Sequence, residues 1–222
     1  YNSSMQNIVV GIDEAGRGPV IGPLVISGII IEENDLDKLR RIKVKDSKLL
    51  TPKQREFLFK EIKKIIIKEK TIIIPPEEVD DALNSEELNL NKLEAIKTAM
   101  IINYLKPDKV TIDCPSTNIN AYVNYLKTFL KYEPKIKAEH KADYKYCEVS
   151  AASILAKVTR DKEIENIKKK YNIEFGSGYP SDPVTQKFLK NNYNKYPEIF
   201  RKTWATYRNV AEKKKQKSLT DY

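Results

Sequence analysis

The stretch Ile8-Val9-Val10-Gly11-Ile12-Asp13-Glu14-Ala15-Gly16-Arg17-Gly18-Pro19 decides the fold. An apolar run ends in two adjacent carboxylates, and a Gly-Arg-Gly turn follows at once. A short apolar run bounded by turn residues reads as a buried strand. Two acids at its end are costly to bring together, because like charges repel and burial disfavours each ionised form. Hard cations such as Mg²⁺ or Mn²⁺ remove that cost, since their ligands are oxygens. The glycines let the backbone approach a ligand closely. The stretch reads as a metal site facing a phosphate-bearing partner.

A second strand has the same form. Lys109-Val110-Thr111-Ile112-Asp113 is again an apolar run ending in Asp. Strand-like and helix-like segments alternate along the chain, which predicts an α/β fold. Strands are expected at 7–13, 20–32, 72–74, 109–113 and 135–138. Helices are expected from Thr51-Pro52, over 91–105 with Leu93, Ile96 and Met100 inward, and over 119–130, 145–171, 181–192 and 197–213. The 145–171 helix begins with small residues (Ser150, Ala151, Ala152, Ser153, Ala156) and should pack closely on its neighbour. A helical crossover makes the first and fourth strands parallel neighbours, which sets Asp13 beside Asp113 at the sheet edge where such folds bind ligands. Asp143 follows the next strand and reaches the same edge. Any one of these acids reads equally well as a loop carboxylate or helix cap. Jointly, Asp13, Glu14, Asp113 and Asp143 form a cluster able to hold two divalent ions about 3.5–4 Å apart.

Composition narrows the partners. The chain has 222 residues, enough for one full core with an appendage. Its net charge is +9 and its pI about 9.2, a balance that favours nucleic acid or an anionic membrane. With no run of 18 apolar residues no membrane span is expected, the N-terminus lacks an apolar signal core, and Met5 reads as the natural start. Cys114 and Cys147 form no disulfide framework and read as buried thiols. With His140, the sole histidine, they lack zinc-ligand spacing. The glycine turn is neither a P-loop nor GxGxxG. Tyr144 and Tyr146 read as packing, Arg160 and Lys162 as surface charge.

Gly11-Ile-Asp-Glu-Ala-Gly-Arg-Gly-Pro19, Asp46-Ser-Lys-Leu-Leu50, Thr111-Ile-Asp113 and His140-Lys-Ala-Asp143 with Val149-Ser-Ala-Ala-Ser-Ile-Leu-Ala-Lys157 together resemble ribonuclease HII, most of all its archaeal branch. The resemblance runs from about Asn7 to Arg208. It implies a ribonuclease H-like fold, a five-stranded mixed sheet flanked by helices, over 6–175. A small C-terminal helical extension (176–212) and a flexible basic tail (213–222) follow. It implies a cytoplasmic endonuclease of ribonucleotide excision repair and replication, cutting RNA in RNA–DNA hybrids and 5′ of single ribonucleotides in duplex DNA; nothing in the sequence suggests more than a monomer. Products would carry 3′-hydroxyl and 5′-phosphate ends. The family's metal acids fall on Asp13, Glu14, Asp113 and Asp143, holding two Mg²⁺ or Mn²⁺ ions. Gly16, Arg17 and Gly18 match the loop that reads the 2′-hydroxyl, and Tyr179 matches a tyrosine that packs on the following deoxyribose. Lys48 is expected to touch a phosphate. Gln216, Leu219 and Tyr222 resemble a sliding-clamp-binding peptide. The Gly-Arg-Gly loop argues against a resolvase- or integrase-like nuclease, and the complete set of acids against a silent hybrid-binding module.

Overall fold

The structure, a computed structural model, describes residues 7–44 and 50–220. Lys48 and Tyr222 lie outside the described residues, as does the side chain of Leu219. Strand β1 (Ile8–Ala15) runs antiparallel to β2 (Leu24–Glu32), and a 3-10 turn leads to α1 (Leu36–Arg41). Helix α2 (Pro52–Ile65) opens on a capping box: the Thr51 hydroxyl accepts from the Gln54 amide at 3.3 Å, and the Gln54 side chain accepts from the Thr51 amide at 2.8 Å. Then come β3 (Lys68–Ile74), α3 (Pro76–Asn84), α4 (Leu90–Leu105), β4 (Lys109–Asp113) and α5 (Ile119–Lys127). The chain continues through β5 (Lys135–Glu139), α6 (Ala142–Lys145), α7 (Cys147–Tyr171), α8 (Pro183–Asn192) and α9 (Ala205–Thr220).

The sheet is five-stranded and mixed, in the order β3-β2-β1-β4-β5. β1, β4 and β5 run parallel, so their carboxyl ends open on one edge. The α/β pattern and the strand positions match the sequence reading, with local differences that have physical causes. The expected strand 20–32 begins only at Leu24, because Gly22 takes φ +86° and Pro23 follows. Pro75-Pro76 follows β3 and starts α3, with Pro76 in the first turn where its missing N–H costs nothing. The expected helix 145–171 parts at Tyr146, which is extended, into α6 and α7. Leu93 is buried as expected and Ile96 is half-buried, but Met100 is exposed; α4 buries Ala95, Ala99 and Ile102. That helix is apolar on much of its circumference, so periodicity does not single out one face. α9 continues to Thr220, where a flexible tail from 213 was expected.

The chain forms two compact units, both discontinuous, unlike the consecutive spans 6–175 and 176–212. The first comprises the residues up to Ala15, Val25–Ile72 and Asn91–Thr159. In its core Val9, Ile29 and Ile31 pack with Leu39, Leu58 and Ile62 and with Ala151, Ala152 and Leu155 of α7. Each fully buried Leu or Ile contributes about 1.5–3 kcal/mol. A Cβ on Gly11 would overlap the backbone of Glu148 and Val149, so α7 lies directly against β1, as its small residues predict. The second unit comprises Gly16–Leu24, Ile73–Leu90 and the residues from Arg160 onward. Val20, Ile21, Ile164, Phe175, Leu189, Ile199 and Phe200 form its core. Asp80 of α3 ties down the residues before α9, accepting from the amides of Lys202 (2.7 Å) and Thr203 (2.9 Å).

Candidate active site

The parallel register of β1 and β4 pairs Ile12 with Ile112, so Asp13 and Asp113 leave the sheet as neighbours. Asp143 arrives from α6, the single turn after β5. Carboxylate oxygens of the three acids all lie within 4.8 Å of one another. Asp13 and Asp143 are buried, and Asp113 is half-buried. Backbone amides and a hydroxyl orient the group. Asp13 Oδ1 accepts from the Glu14 amide at 2.7 Å, and the Asp13 carboxylate also accepts from the Ser153 side chain. Asp113 Oδ1 accepts from the Ala142 amide at 3.3 Å.

Burial, reinforced by the charges of Asp113 and Asp143, pushes the Asp13 carboxyl up to about 8. The hydrogen bonds from Ser153 and the Glu14 amide oppose the rise without cancelling it. At neutral pH Asp13 therefore holds a proton unless a cation takes that place. Three hard oxygen donors converging on one point fit Mg²⁺ or Mn²⁺.

Glu14 is not among these three. Successive side chains on a strand face opposite ways; Cys114 and Tyr122 of α5 are made harder to ionise chiefly by burial, with a smaller contribution from the charge of Glu14. Three of the four expected acids thus converge, and the fourth stands one residue further along β1. His140 and the cysteines form no ligand set among the described residues: His140 Nδ1 lies 3.1 Å from the Cys114 carbonyl oxygen, and both thiols are free and buried.

The Gly-Arg-Gly turn belongs to the second unit and is fastened by residues remote in sequence. Arg201, fully buried, donates to the carbonyls of Gly16 (2.6 Å), Arg17 (3.0 Å) and Gly22 (3.1 Å). Trp204 Nε1 donates to the Gly18 carbonyl at 3.1 Å. Gly16 takes φ +85°, and a Cβ there would overlap the Arg160 side chain. At Gly18 a Cβ would meet only the Tyr179 ring, at 3.5 Å, an ordinary contact. Tyr179 is 42% exposed and lies 5.7 Å from the Arg160 guanidinium. Arg160 is a correction to the sequence reading: it is buried, not surface charge, and donates to the Ile21 carbonyl at 3.4 Å. Burial lowers its pKa. Arg201, Trp204 and Ser153 went unrecognised in the sequence, where no local pattern distinguishes them.

Comparison with known proteins bears on this geometry. The model of the family described as ribonuclease HII matches residues 10–207. Ribonuclease HII of Pyrococcus horikoshii is 48% identical over 217 residues, covering 96% of each chain. The crystal structure of ribonuclease H2 from that organism superposes with a TM-score of 0.85, covering 93% of this chain and 98% of the other. A PCNA:RNase HII complex from Archaeoglobus fulgidus contains a chain 40% identical, with a TM-score of 0.81 over 89% of this chain and 95% of its own. Bst-RNase HIII in complex with Mn²⁺ shares the fold at 17% identity, TM-score 0.79, covering 93% of this chain and 70% of that one.

Proposed function

Because the chain belongs to the ribonuclease HII family, whose fold is ribonuclease H-like, we propose that it nicks duplex DNA on the 5′ side of single embedded ribonucleotides, using two divalent ions. The chain is a metal-dependent ribonuclease H, an endonuclease acting on the RNA of RNA–DNA hybrids. One observation supports the metal-ion part of this reading most: Asp13 and Asp113, at the carboxyl ends of β1 and β4, converge within 4.8 Å with Asp143 of α6.

Asp13, Asp113 and Asp143 hold the ions in this reading, with Glu14 completing the set. Bound there, Mg²⁺ or Mn²⁺ would activate a water and stabilise the departing 3′ oxygen, leaving 3′-hydroxyl and 5′-phosphate ends. Ser153 and the Glu14 amide keep the Asp13 carboxylate turned toward its partners. Selecting RNA requires reading the 2′-hydroxyl, and we assign that task to the backbone of Gly16, Arg17 and Gly18. Arg201 and Trp204 engage the carbonyls of all three residues and so hold the turn in one conformation. Tyr179 packs on the following deoxyribose, and Lys48 touches a phosphate. The net charge of +9 supports attraction to the nucleic-acid backbone. The enzyme acts as a cytoplasmic monomer in ribonucleotide excision repair and replication. A sliding clamp is its partner, through Gln216, Leu219 and Tyr222. The Archaeoglobus complex and the exposure of Gln216 near the end of α9 support this.

Cleavage of a labelled duplex containing one ribonucleotide, beside an all-DNA control, tests the reading. Cutting 5′ of the ribonucleotide with Mg²⁺ or Mn²⁺, none with chelator and none of the control is the expected result. Cutting of both duplexes would replace 2′-hydroxyl selection with general nuclease activity. For the clamp, Gln216→Ala in the full chain should weaken binding to a cognate clamp; no binding by the unaltered chain would remove that partner.

A further inference from the structure

Asp143 sits on an element that cannot stand alone. α6 has four residues, too few for an isolated helix. Its entry residue, Lys141, takes the left-handed region at φ 57°, which a side chain disfavours. Its exit, Tyr146, is extended. A carboxylate on such a turn keeps its place only if the turn is anchored from outside.

One side chain joins the far end of this turn to the sheet. Glu139 is the last residue of β5, paired in register with Asp113 of β4, and its carbonyl accepts from the Cys114 amide at 2.9 Å. Glu139 Oε2 accepts from Lys145 Nζ at 2.7 Å, and Oε1 accepts from the Tyr146 hydroxyl at 3.0 Å. Lys137 Nζ lies 3.3 Å from Oε1 and 4.6 Å from the centre of the Tyr146 ring. Lys145, then Tyr146 and Lys137, hold the Glu139 carboxyl down at about 2. A lone, partly exposed ion pair does little. Here two donors come from consecutive residues of one turn, so the carboxylate closes the loop 140–144 against the strand end beside Asp113. Tyr146, read from sequence as packing, is one of the two arms.

We propose that Glu139 is a positioning residue for Asp143: it clasps the α6 turn so that divalent-cation affinity depends on a carboxylate that touches no cation. The proposal rests on Asp143 being a cation ligand. It differs from the support given by Ala142, whose amide reaches Asp113 directly.

Calorimetric titration of the metal-free full chain with Mn²⁺ tests it. Glu139→Ala should weaken Mn²⁺ binding about 10–100-fold, while the unfolding midpoint in chelator moves by less than about 5 °C. Glu139→Gln, which keeps an acceptor, should recover part of the loss. With Asp143→Asn already present, Glu139→Ala should add little, because the ligand it positions is gone. Should Glu139→Ala fail to fold, Lys145→Met and Tyr146→Phe each remove one arm and should each weaken binding. Mn²⁺ affinity unchanged by loss of Glu139 or of both arms, with Asp143→Asn weakened, would overturn the proposal. Full additivity in the double variant would overturn it too, since Glu139 would then act elsewhere. Unchanged affinity in Asp143→Asn would overturn the assignment of Asp143, and this inference with it.

Discussion

The acid cluster and the Gly-Arg-Gly turn are consecutive in sequence yet are built in opposite ways. At the end of β1, three carboxylates are packed together against their own repulsion, and burial drives Asp13 up to about 8. Three residues after Asp13, Gly16 and then Arg17 present carbonyls that a buried arginine satisfies, and Trp204 satisfies the Gly18 carbonyl. The first region concentrates acids whose joint ionisation burial opposes and a cation would relieve. In the second, charged and polar donors meet carbonyl dipoles. Ionisation is thus opposed at the acids, whereas the carbonyls of the turn are met by fixed donors.

The largest expected effect breaks the first side of this contrast. Asp13→Asn or Asp113→Asn should cut the cleavage rate by about a thousandfold or more, since each removes a proposed ligand from a metal-dependent reaction. In chelator at pH 8, Asp13→Asn should be more stable than the natural chain, by on the order of 1–3 kcal/mol, because a buried charge is gone. Near-normal cleavage by a folded variant would remove the cluster from catalysis. Glu14→Gln should weaken Mn²⁺ binding less than Asp13→Asn does, since Glu14 stands outside the group of three.

On the other side, Arg201→Gln should destabilise by about 3–5 kcal/mol in urea unfolding, because buried carbonyls lose a charged donor. Stability within about 1 kcal/mol of the natural chain would mean that the turn does not depend on this residue. Gly16→Ala and Gly18→Ala sharpen the distinction. The first should destabilise, since φ +85° and the Arg160 side chain both resist a Cβ. The second should fold normally and lose discrimination between ribonucleotide and deoxyribonucleotide. Equal behaviour of the two would show that the turn tolerates or rejects side chains uniformly.

The burial of Asp13 also sets a pH dependence. Asp13 has a folded-state pKa of about 8, above its unfolded value near 3.8. Its stabilising contribution is complete below the unfolded value and is lost as pH rises through the folded one. Unfolding midpoints in chelator should therefore carry a component that declines between about pH 4 and 8 and then levels off. Saturating Mg²⁺ should reduce that component by stabilising the ionised form. Identical profiles with and without Mg²⁺ would contradict the coupling.

The acids were legible because strand patterning is local. An apolar run ending in Asp occurs at both Asp13 and Asp113, and the crossover between them admits parallel pairing. Asp143 followed from its place after β5. The departure of Glu14 was implicit in strand alternation, yet adjacency to Asp13 reads more strongly in a linear chain. Arg160 and Arg201 were illegible for a different reason. Lys and Arg number 40 in this sequence, and a buried one looks like the rest. Its burial depends on which carbonyls lie opposite it, and those belong to residues more than 130 positions away.

The amino-acid sequence by itself determined the α/β class, the strands that end in acids, the capped start at Thr51 and the closeness of α7 to β1, all properties of residue order over one or two turns. Only the tertiary structure decided that Asp13, Asp113 and Asp143 converge without Glu14, that Arg201 and Trp204 hold the Gly-Arg-Gly turn, and that Glu139 clasps the turn bearing Asp143. Those outcomes depend on register and burial. The free energy of a charge is set by the dielectric and the partners around it, which no stretch of sequence contains.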